Sequence, residues 1–436
     1  MWDLLIINAC LVTQEPDRGP IPRGFVAVQD GVLAALGSMS DLDPEHGAAK
    51  SIDARGGLVM PGLVNTHIHG AMTLFRGLAD DLPLMVWLNE HIFPAEAAHV
   101  NEELVYWGTK LACAEMLLSG TTGFADGYFL EDQAARAAQE AGLRCVMGQG
   151  VIDFPAPGVP DPGKNLKTAR EFLEKWRGVS PLIQPSVFCH SPYTCSKETL
   201  IGGKELAREF GTIFQIHVSE TREEVEQVRS DRGLTPVRYL DDLGLLDEST
   251  LAVHCVWVDD EEIDILARRR TPAVVCVESH MKLASGSAPV VRMLARGVNV
   301  AMGTDGPASN NNLNMFGEAG TLARLTKVRE MDPTALPAAR ALYLAGPAGA
   351  AALGWRDVTG MLKPGLRADL IVLDLSPPHL TPLYRPRSHL VYASNGHEIR
   401  TVLVDGRVVV EDGRLIAFDL RETLARVREI ADGIRG

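Results

Sequence analysis

The texture of polar and apolar positions changes twice along the chain. Residues 1 to about 57 are short apolar runs separated by turn signals: Leu4-Leu5-Ile6-Ile7, Phe25-Val26-Ala27-Val28 and Val32-Leu33-Ala34-Ala35-Leu36. Gln29-Asp30-Gly31 between the last two reads as a hairpin, since Asp-Gly tolerates the positive φ angles of a tight turn. The texture returns near the far end, in Ala368-Asp369-Leu370-Ile371-Val372-Leu373 and in Val402 to Val410. Neither piece alone can bury a sheet face. Both are therefore expected to join in one small β-sandwich, residues 1–57 with 364–419. Between them, strand-length apolar runs alternate with helical segments. Candidate strands are 58–67, 121–126, 143–150, 182–189, 212–218, 251–256, 273–277 and 298–303. Glycines at 120, 142, 178, 211 and 297 mark helix ends. Eight such alternations predict an α/β fold, a parallel (β/α)8 TIM barrel over residues 58–363. Leu420 to Ile434 reads as an amphipathic helix, giving a C-terminal helix at 420–436.

Composition narrows the function. The 436 residues are 46% hydrophobic and 22% charged, ordinary for a globular protein, and the formal charge of −14 argues against nucleic acid as a partner. No stretch approaches the roughly 18 apolar residues a membrane span needs. Met1 to Val12 carries Asp3 and Asn8 and has no basic n-region, so no signal peptide is expected. Seven dispersed cysteines without a C-x-x-C pair fit reduced thiols and a cytoplasmic location. A homo-oligomer is left open.

The chemistry gathers at strand ends. In Val64-Asn65-Thr66-His67-Ile68-His69 the two histidines fall on one face of a strand. His190 follows the fourth candidate strand, His217 and His254 end the fifth and sixth, and Asp305 follows the eighth. A lone histidine in such a place is more often a buried, hydrogen-bonded imidazole than a ligand. Five at predicted strand ends are harder to obtain by accident, because parallel barrel strands deliver their C-terminal ends to one face. The expected ligand set is His67, His69, His217 and Asp305, holding one divalent metal per subunit, Zn2+ in first place with Fe2+ fitting the same donors. No lysine lies in Leu182 to His190 to bridge a second ion. Zinc lowers the pKa of a bound water from 15.7 to about 7. His254 is placed to hydrogen-bond that water as base or electrostatic stabiliser, and Asp305 to accept its proton. Glu220, three residues past His217, is placed to protonate a ring nitrogen and then a departing amine. The plainer reading of Glu220 is an acid near a helix start, in Ser219-Glu220-Thr221-Arg222-Glu223-Glu224.

Pro61-Gly62-(x)4-His67-x-His69, His217-x-x-Glu220, His254 and Gly303-Thr304-Asp305 together resemble the amidohydrolase superfamily, in its mononuclear branch of nucleobase and nucleoside deaminases. Gly360-x-Leu362-x-x-Gly365-x-x-Ala368-Asp369-Leu370 resembles the return from barrel to β-sandwich in that superfamily. Within it, similarity to the 5′-methylthioadenosine/S-adenosylhomocysteine deaminases is carried by several runs. They are Arg76 to Leu88, Pro94-Ala95-Glu96, His190-Ser191-Pro192-Tyr193-Thr194, Met281 to Gly286 and Gly303 to Asn311. The resemblance implies a small-molecule nucleoside substrate. It places Trp87 against that substrate, Glu96 on the ribose 2′- and 3′-hydroxyls, His190 on the nucleoside and Glu220 on the purine ring.

Two departures bear on specificity. His280 stands where the resembled family often has Asn, and Gln149 to Pro157 contains no basic residue for a homocysteine carboxylate. Methylthioadenosine, S-adenosylhomocysteine, adenosine and 5′-deoxyadenosine all stay in view. The alternatives are another aminated ring (guanine, cytosine, a pterin, a chlorotriazine) on the same site, or an inactive scaffolding homologue.

Overall fold

A computed structural model describes residues 1–43 and 45–435. The chain divides into two compact units. One comprises Met1–Val64, Ala114–Gly123 and Asn314–Asp419; the other comprises Asn65–Cys113, Phe124–Leu313 and the chain from Leu420 onward.

In the first unit a nine-stranded mixed sheet is built from both chain ends. Its N-terminal part holds Trp2–Leu11, Ile21–Gln29, Val32–Ser38, Ala48–Asp53 and Leu58–Pro61; its C-terminal part begins at Leu370–Leu373 and Ile399–Val404. The two parts meet where Leu58–Pro61 runs antiparallel to Leu370–Leu373, with Leu58 opposite Leu373 and Pro61 opposite Leu370. One face buries Leu4, Ile6, Leu11, Val26, Val59, Val372 and Leu403. The other buries Leu5, Phe25 and Ala27, as the two-residue period of a strand requires. Gln29 pairs with Val32 across a two-residue hairpin loop, and Asp30 and Gly31 both have positive φ, 52° and 74°.

The candidate strand 58–67 is divided at Gly62. Leu58–Pro61 belongs to the mixed sheet and Leu63–Ile68 is the first barrel strand. The division depends on glycine, because a Cβ at position 62 would overlap the Thr122 side chain. The remaining barrel strands are Thr121–Tyr128, Arg144–Val151, Ile183–Cys189, Phe214–Val218, Thr250–His254, Ala273–Val275 and Val300–Met302. All eight are hydrogen-bonded in sequence order. The circle closes through side chains and loops: Thr66 Oγ1 donates to Met302 O at 2.8 Å, Asn65 Nδ2 to Thr304 Oγ1 at 2.8 Å, and Asp305 N to His67 O at 3.0 Å. That last bond fixes the height of Asp305 beside the first strand.

Helices lie between the strands, including Glu131–Ala141, Asn165–Trp176, Lys197–Phe210, Arg222–Arg232 and Asp260–Arg269, and the chain ends in helix Leu420–Arg435. All seven cysteines are buried and free. Among the described residues no helix is long and apolar enough to cross a membrane.

Candidate metal centre and substrate cavity

His67 lies in the first barrel strand and His69 just beyond it. His217 lies in the fifth strand, His254 closes the sixth, His190 follows the fourth, and Asp305 stands three residues past the eighth. The structure brings four of these together at close range. His67 Nε2 is 3.2 Å from His217 Nε2 and 3.5 Å from Asp305 Oδ1, and His69 Nε2 is 3.4 Å from the same oxygen. One ring nitrogen from each of His67, His69 and His217 lies within 4.8 Å of the others.

The protonation of these groups follows from burial. It pushes His69 down to about 4, assisted by His67, and holds His67 and His217 below their ordinary values. The rings are therefore neutral. His69 Nδ1 is 2.6 Å from Gly127 O, so that nitrogen carries the proton and Nε2 presents a lone pair. Lone pairs converging from several sides repel one another, and a cation relieves that repulsion. Three neutral imidazoles and a carboxylate are the donors that suit a divalent metal with an open position.

Asp305 stays ionised. Burial alone would raise it, but its hydrogen bond with His67 holds it well below the usual carboxylate range. Its Oδ2 accepts from Ser279 Oγ at 2.7 Å and Ser309 Oγ at 2.9 Å, and its Oδ1 from Gly306 N at 2.8 Å. The backbone at Asp305 is left-handed, with φ 62°. That turn and the two hydroxyls aim the carboxylate at the histidines.

Glu220 sits in the turn after the fifth strand, ahead of helix Arg222–Arg232, whose N-cap is Thr221. The buried carboxylate of Glu224 accepts from Ser219 N at 2.8 Å and Glu220 N at 2.6 Å, which fixes the turn. The Glu220 side chain then lies with Oε2 at 3.6 Å from His254 Nε2 and Oε1 at 3.2 Å from Ser285 Oγ. Burial, with the negative charge of Asp305, pushes its carboxyl up to about 8. His254 in turn has Nδ1 3.0 Å from His280 Nε2.

A cavity opens over this cluster. His69, His217, His254, Asp305 and Glu220 line it together with Trp87, Glu96 and His190, while His67 lies behind at 0% exposure. Trp87 opens the π-helical turn Trp87–Ile92, its Nε1 donating to Ala79 O at 3.1 Å. Glu96 is buried on helix Phe93–His99 and accepts from Tyr128 Oη at 2.6 Å. Burial pushes the Glu96 carboxyl up to about 7, against the pull of that hydrogen bond. Burial and the neighbouring histidines push His190 down to about 3, and its Nδ1 is 2.9 Å from Thr194 Oγ1. Phe93, Tyr128, Phe129, Phe188 and Leu283 make the rest of the wall largely apolar, the usual character of a small-molecule site.

Tyr128, Ser279, Ser309 and Glu224 were not among the candidate residues. Each is a buttress for a residue that was; Glu224 and Ser309 each stand four positions from the residue they support, and Tyr128 and Ser279 are distant in sequence.

Histidines and a carboxylate gathered at the C-terminal mouth of a parallel barrel, beneath a small-molecule cavity, define a barrel hydrolase of the metal-dependent kind. The profile of the Amidohydrolase family matches residues 58–409, and the chain belongs to that family, which is metal-dependent. It is 47% identical over 433 residues to a 5-methylthioadenosine/S-adenosylhomocysteine deaminase of Syntrophobacter fumaroxidans, covering 99% of this chain and 98% of that one. It is 48% identical over 421 residues to a 5′-deoxyadenosine deaminase of Methanothermobacter thermautotrophicus, covering 96% and 97%. Its fold is similar to the crystal structure of a Xanthomonas campestris adenosine deaminase with bound zinc, at a TM-score of 0.97 and 39% identity, covering 100% and 99% of the two chains.

Proposed function

We propose that this chain hydrolytically deaminates an adenine nucleoside, drawn from 5′-methylthioadenosine, S-adenosylhomocysteine, adenosine and 5′-deoxyadenosine, to the inosine analogue and ammonia. The observation that carries the reading is a buried carboxyl raised to about 8, Glu220, in one cavity with His69, His217 and Asp305. Deamination needs an acid that is still protonated at neutral pH beside a group that can take a proton, and this pair of carboxyls is split in that sense. The ligands are His67, His69, His217 and Asp305, and the ion is Zn2+, with Fe2+ suited to the same donors. When bound, the ion supplies Lewis-acid activation of the attacking water.

The side chains supply the rest. Asp305 takes a proton from the water that adds to purine C6, and Glu220 gives its own to the adjacent ring nitrogen. Glu220 then takes the proton of the new C6 hydroxyl and passes it to the amine, the C6–N bond breaks to release ammonia and leave a C6 carbonyl, and the proton held on Asp305 restores the Glu220 carboxyl. His254 hydrogen-bonds the reacting oxygen. Trp87 packs on the nucleoside, His190 contacts it, and Glu96 accepts the ribose hydroxyls.

Ammonia release from a panel of the four nucleosides, free adenine, guanine, cytosine, a pterin and a chlorotriazine tests the assignment. Activity confined to a non-adenine ring, or chloride release without ammonia, would overturn it.

Glu96 carries a separate expectation. An ionised carboxylate accepts the two hydroxyls better than a protonated one. With the carboxyl near 7, KM for ribosides should fall as pH rises through about 7, because deprotonation completes the acceptor. Glu96→Gln should raise KM roughly tenfold or more, the loss of one to two charge-assisted bonds, and should flatten that pH dependence. An unchanged ratio of nucleoside to free-base activity would rule out the ribose contact.

A further inference from the structure

His254 reaches the cavity with Nε2 and is met from behind by a second imidazole, His280. His280 lies on the short helix Val277–Lys282 after the seventh barrel strand and is 1% exposed. Its Nε2 is 3.0 Å from His254 Nδ1, and its own Nδ1 is buried without a hydrogen-bonding partner among the described residues. Both rings are buried, and a contact of 3.0 Å between two ring nitrogens requires a proton on one and a lone pair on the other.

Each neutral imidazole carries one N–H, and the contact between them accommodates one proton. Two arrangements satisfy it. In the first, His254 Nδ1–H donates to His280 Nε2. The His280 proton then sits on Nδ1, a buried N–H with no acceptor, and His254 turns a lone pair to the cavity. In the second, His280 Nε2–H donates to His254 Nδ1. The unpartnered atom is then only a lone pair, and His254 Nε2–H faces Glu220 Oε2 at 3.6 Å. A carboxyl offers an acceptor oxygen in either protonation state. An orphaned buried N–H is rarer in folded proteins than an under-used acceptor, and leaving a buried donor unmade is costly. The second arrangement leaves neither donor facing an empty wall.

We infer that His280 is a positioning residue that fixes His254 as the Nε2–H tautomer, so that His254 serves the reaction as a hydrogen-bond donor and not as a base. The part played in the reaction rests on the deaminase reading; the tautomer does not. A ring with its cavity-facing nitrogen already protonated has no lone pair there to take a proton. Asp305 is then the acceptor for the proton of the attacking water, and His254 steadies the oxygen as it gains negative charge.

Neutron diffraction from deuterium-exchanged crystals of the metal-loaded protein reads the tautomer directly. The expected result is deuterium on Nε2 of both His254 and His280 and none on His254 Nδ1. Deuterium on His254 Nδ1 overturns the inference. Kinetics supply an independent reading through two variants. His280→Gln keeps an N–H donor at the reach of Nε2 and should hold kcat close to wild type. His280→Leu has none and should lose roughly 10- to 100-fold in kcat, the usual cost at such supporting positions, with KM and metal content unchanged. Equal losses in the two variants, or no loss in His280→Leu, would show that the ring merely fills space. If His280→Leu fails to fold, the neutron result still decides. A protein that releases no ammonia from any adenine nucleoside, yet carries deuterium on His254 Nε2, sinks the deaminase reading and supports the tautomer.

Discussion

Replacing Glu220 with glutamine is expected to lower kcat by roughly 10²- to 10⁴-fold, the range a positioned general acid contributes, without loss of metal. The size follows from what glutamine lacks. It keeps the shape and the carbonyl oxygen but has no proton that it can deliver to a ring nitrogen. The wild-type carboxyl is prepared for that delivery: burial and the charge of Asp305 hold it near 8, so it is mostly protonated at pH 7. The sign of the pH dependence is fixed by the same fact. The proton is present below about 8 and lost above it, so kcat should fall as pH rises through that value, and Glu220→Gln should lack that limb. Metal content should survive, because the turn holding Glu220 is anchored by Glu224 and Thr221. Measuring ammonia release against pH, with elemental analysis of both proteins, separates the outcomes. Near-wild-type turnover by the glutamine variant would remove Glu220 from the chemistry.

How much of this arrangement is legible in the chain alone depends on whether a residue's neighbours are set by a repeating pattern or by a loop. His67, His69, His217 and His254 could be placed because a barrel strand has a fixed direction, and an apolar run ending in histidine therefore says where that histidine is delivered. The Asp30-Gly31 hairpin was readable for a similar reason: two positive φ angles in succession exclude most residues. The division at Gly62 was passed over although Pro61-Gly62 is a break signal inside Leu58 to Ile68. What the chain alone does not show is the packing of Thr122, some sixty positions away, where a Cβ at position 62 would lie. The buttresses escaped for the same reason. Ser279 reaches Asp305 from the helix Val277–Lys282 and Ser309 from the turn four residues on, and Tyr128 reaches Glu96 from the second barrel strand. A serine or tyrosine in a sequence carries no mark of the carboxylate it will face. His280 stood out only as a departure from a motif, and its contact with His254 needed coordinates. The stretch Leu84–His99 was read for its motif and not for its form: it combines a short α-helical turn, a π-helical turn and the helix Phe93–His99 with Pro94 near its start. No single period describes it.

Stripping the protein of metal with a chelator is expected to abolish ammonia release, and re-addition of Zn2+ or Fe2+ to restore it. The same treatment should lower the unfolding midpoint, because an ion that binds only the folded chain stabilises it by about 2.7 kcal/mol when free metal stands at a hundred times its Kd. The metal-free protein should also be unusually sensitive to acid. His69 is held near 4 in the fold but has an ordinary value of 6.5, and burial lowers His67 and His217 in the same direction. Between those limits the unfolded chain binds protons that the folded chain does not, so stability falls as pH drops from about 6.5 toward about 4. A bound cation opposes protonation of its own ligands, and the loaded protein should keep its stability further into that range. Thermal scans of loaded and stripped protein from pH 7 to 4 test both statements. Asp305→Asn distinguishes the two duties assigned to that carboxylate. If it only binds metal, saturating Zn2+ should recover most of the activity; if it also accepts the water's proton, kcat should stay roughly 10²- to 10⁴-fold low with the site full. The second result is expected, since the amide has no charge with which to hold a proton, and full recovery on metal addition would assign the proton elsewhere.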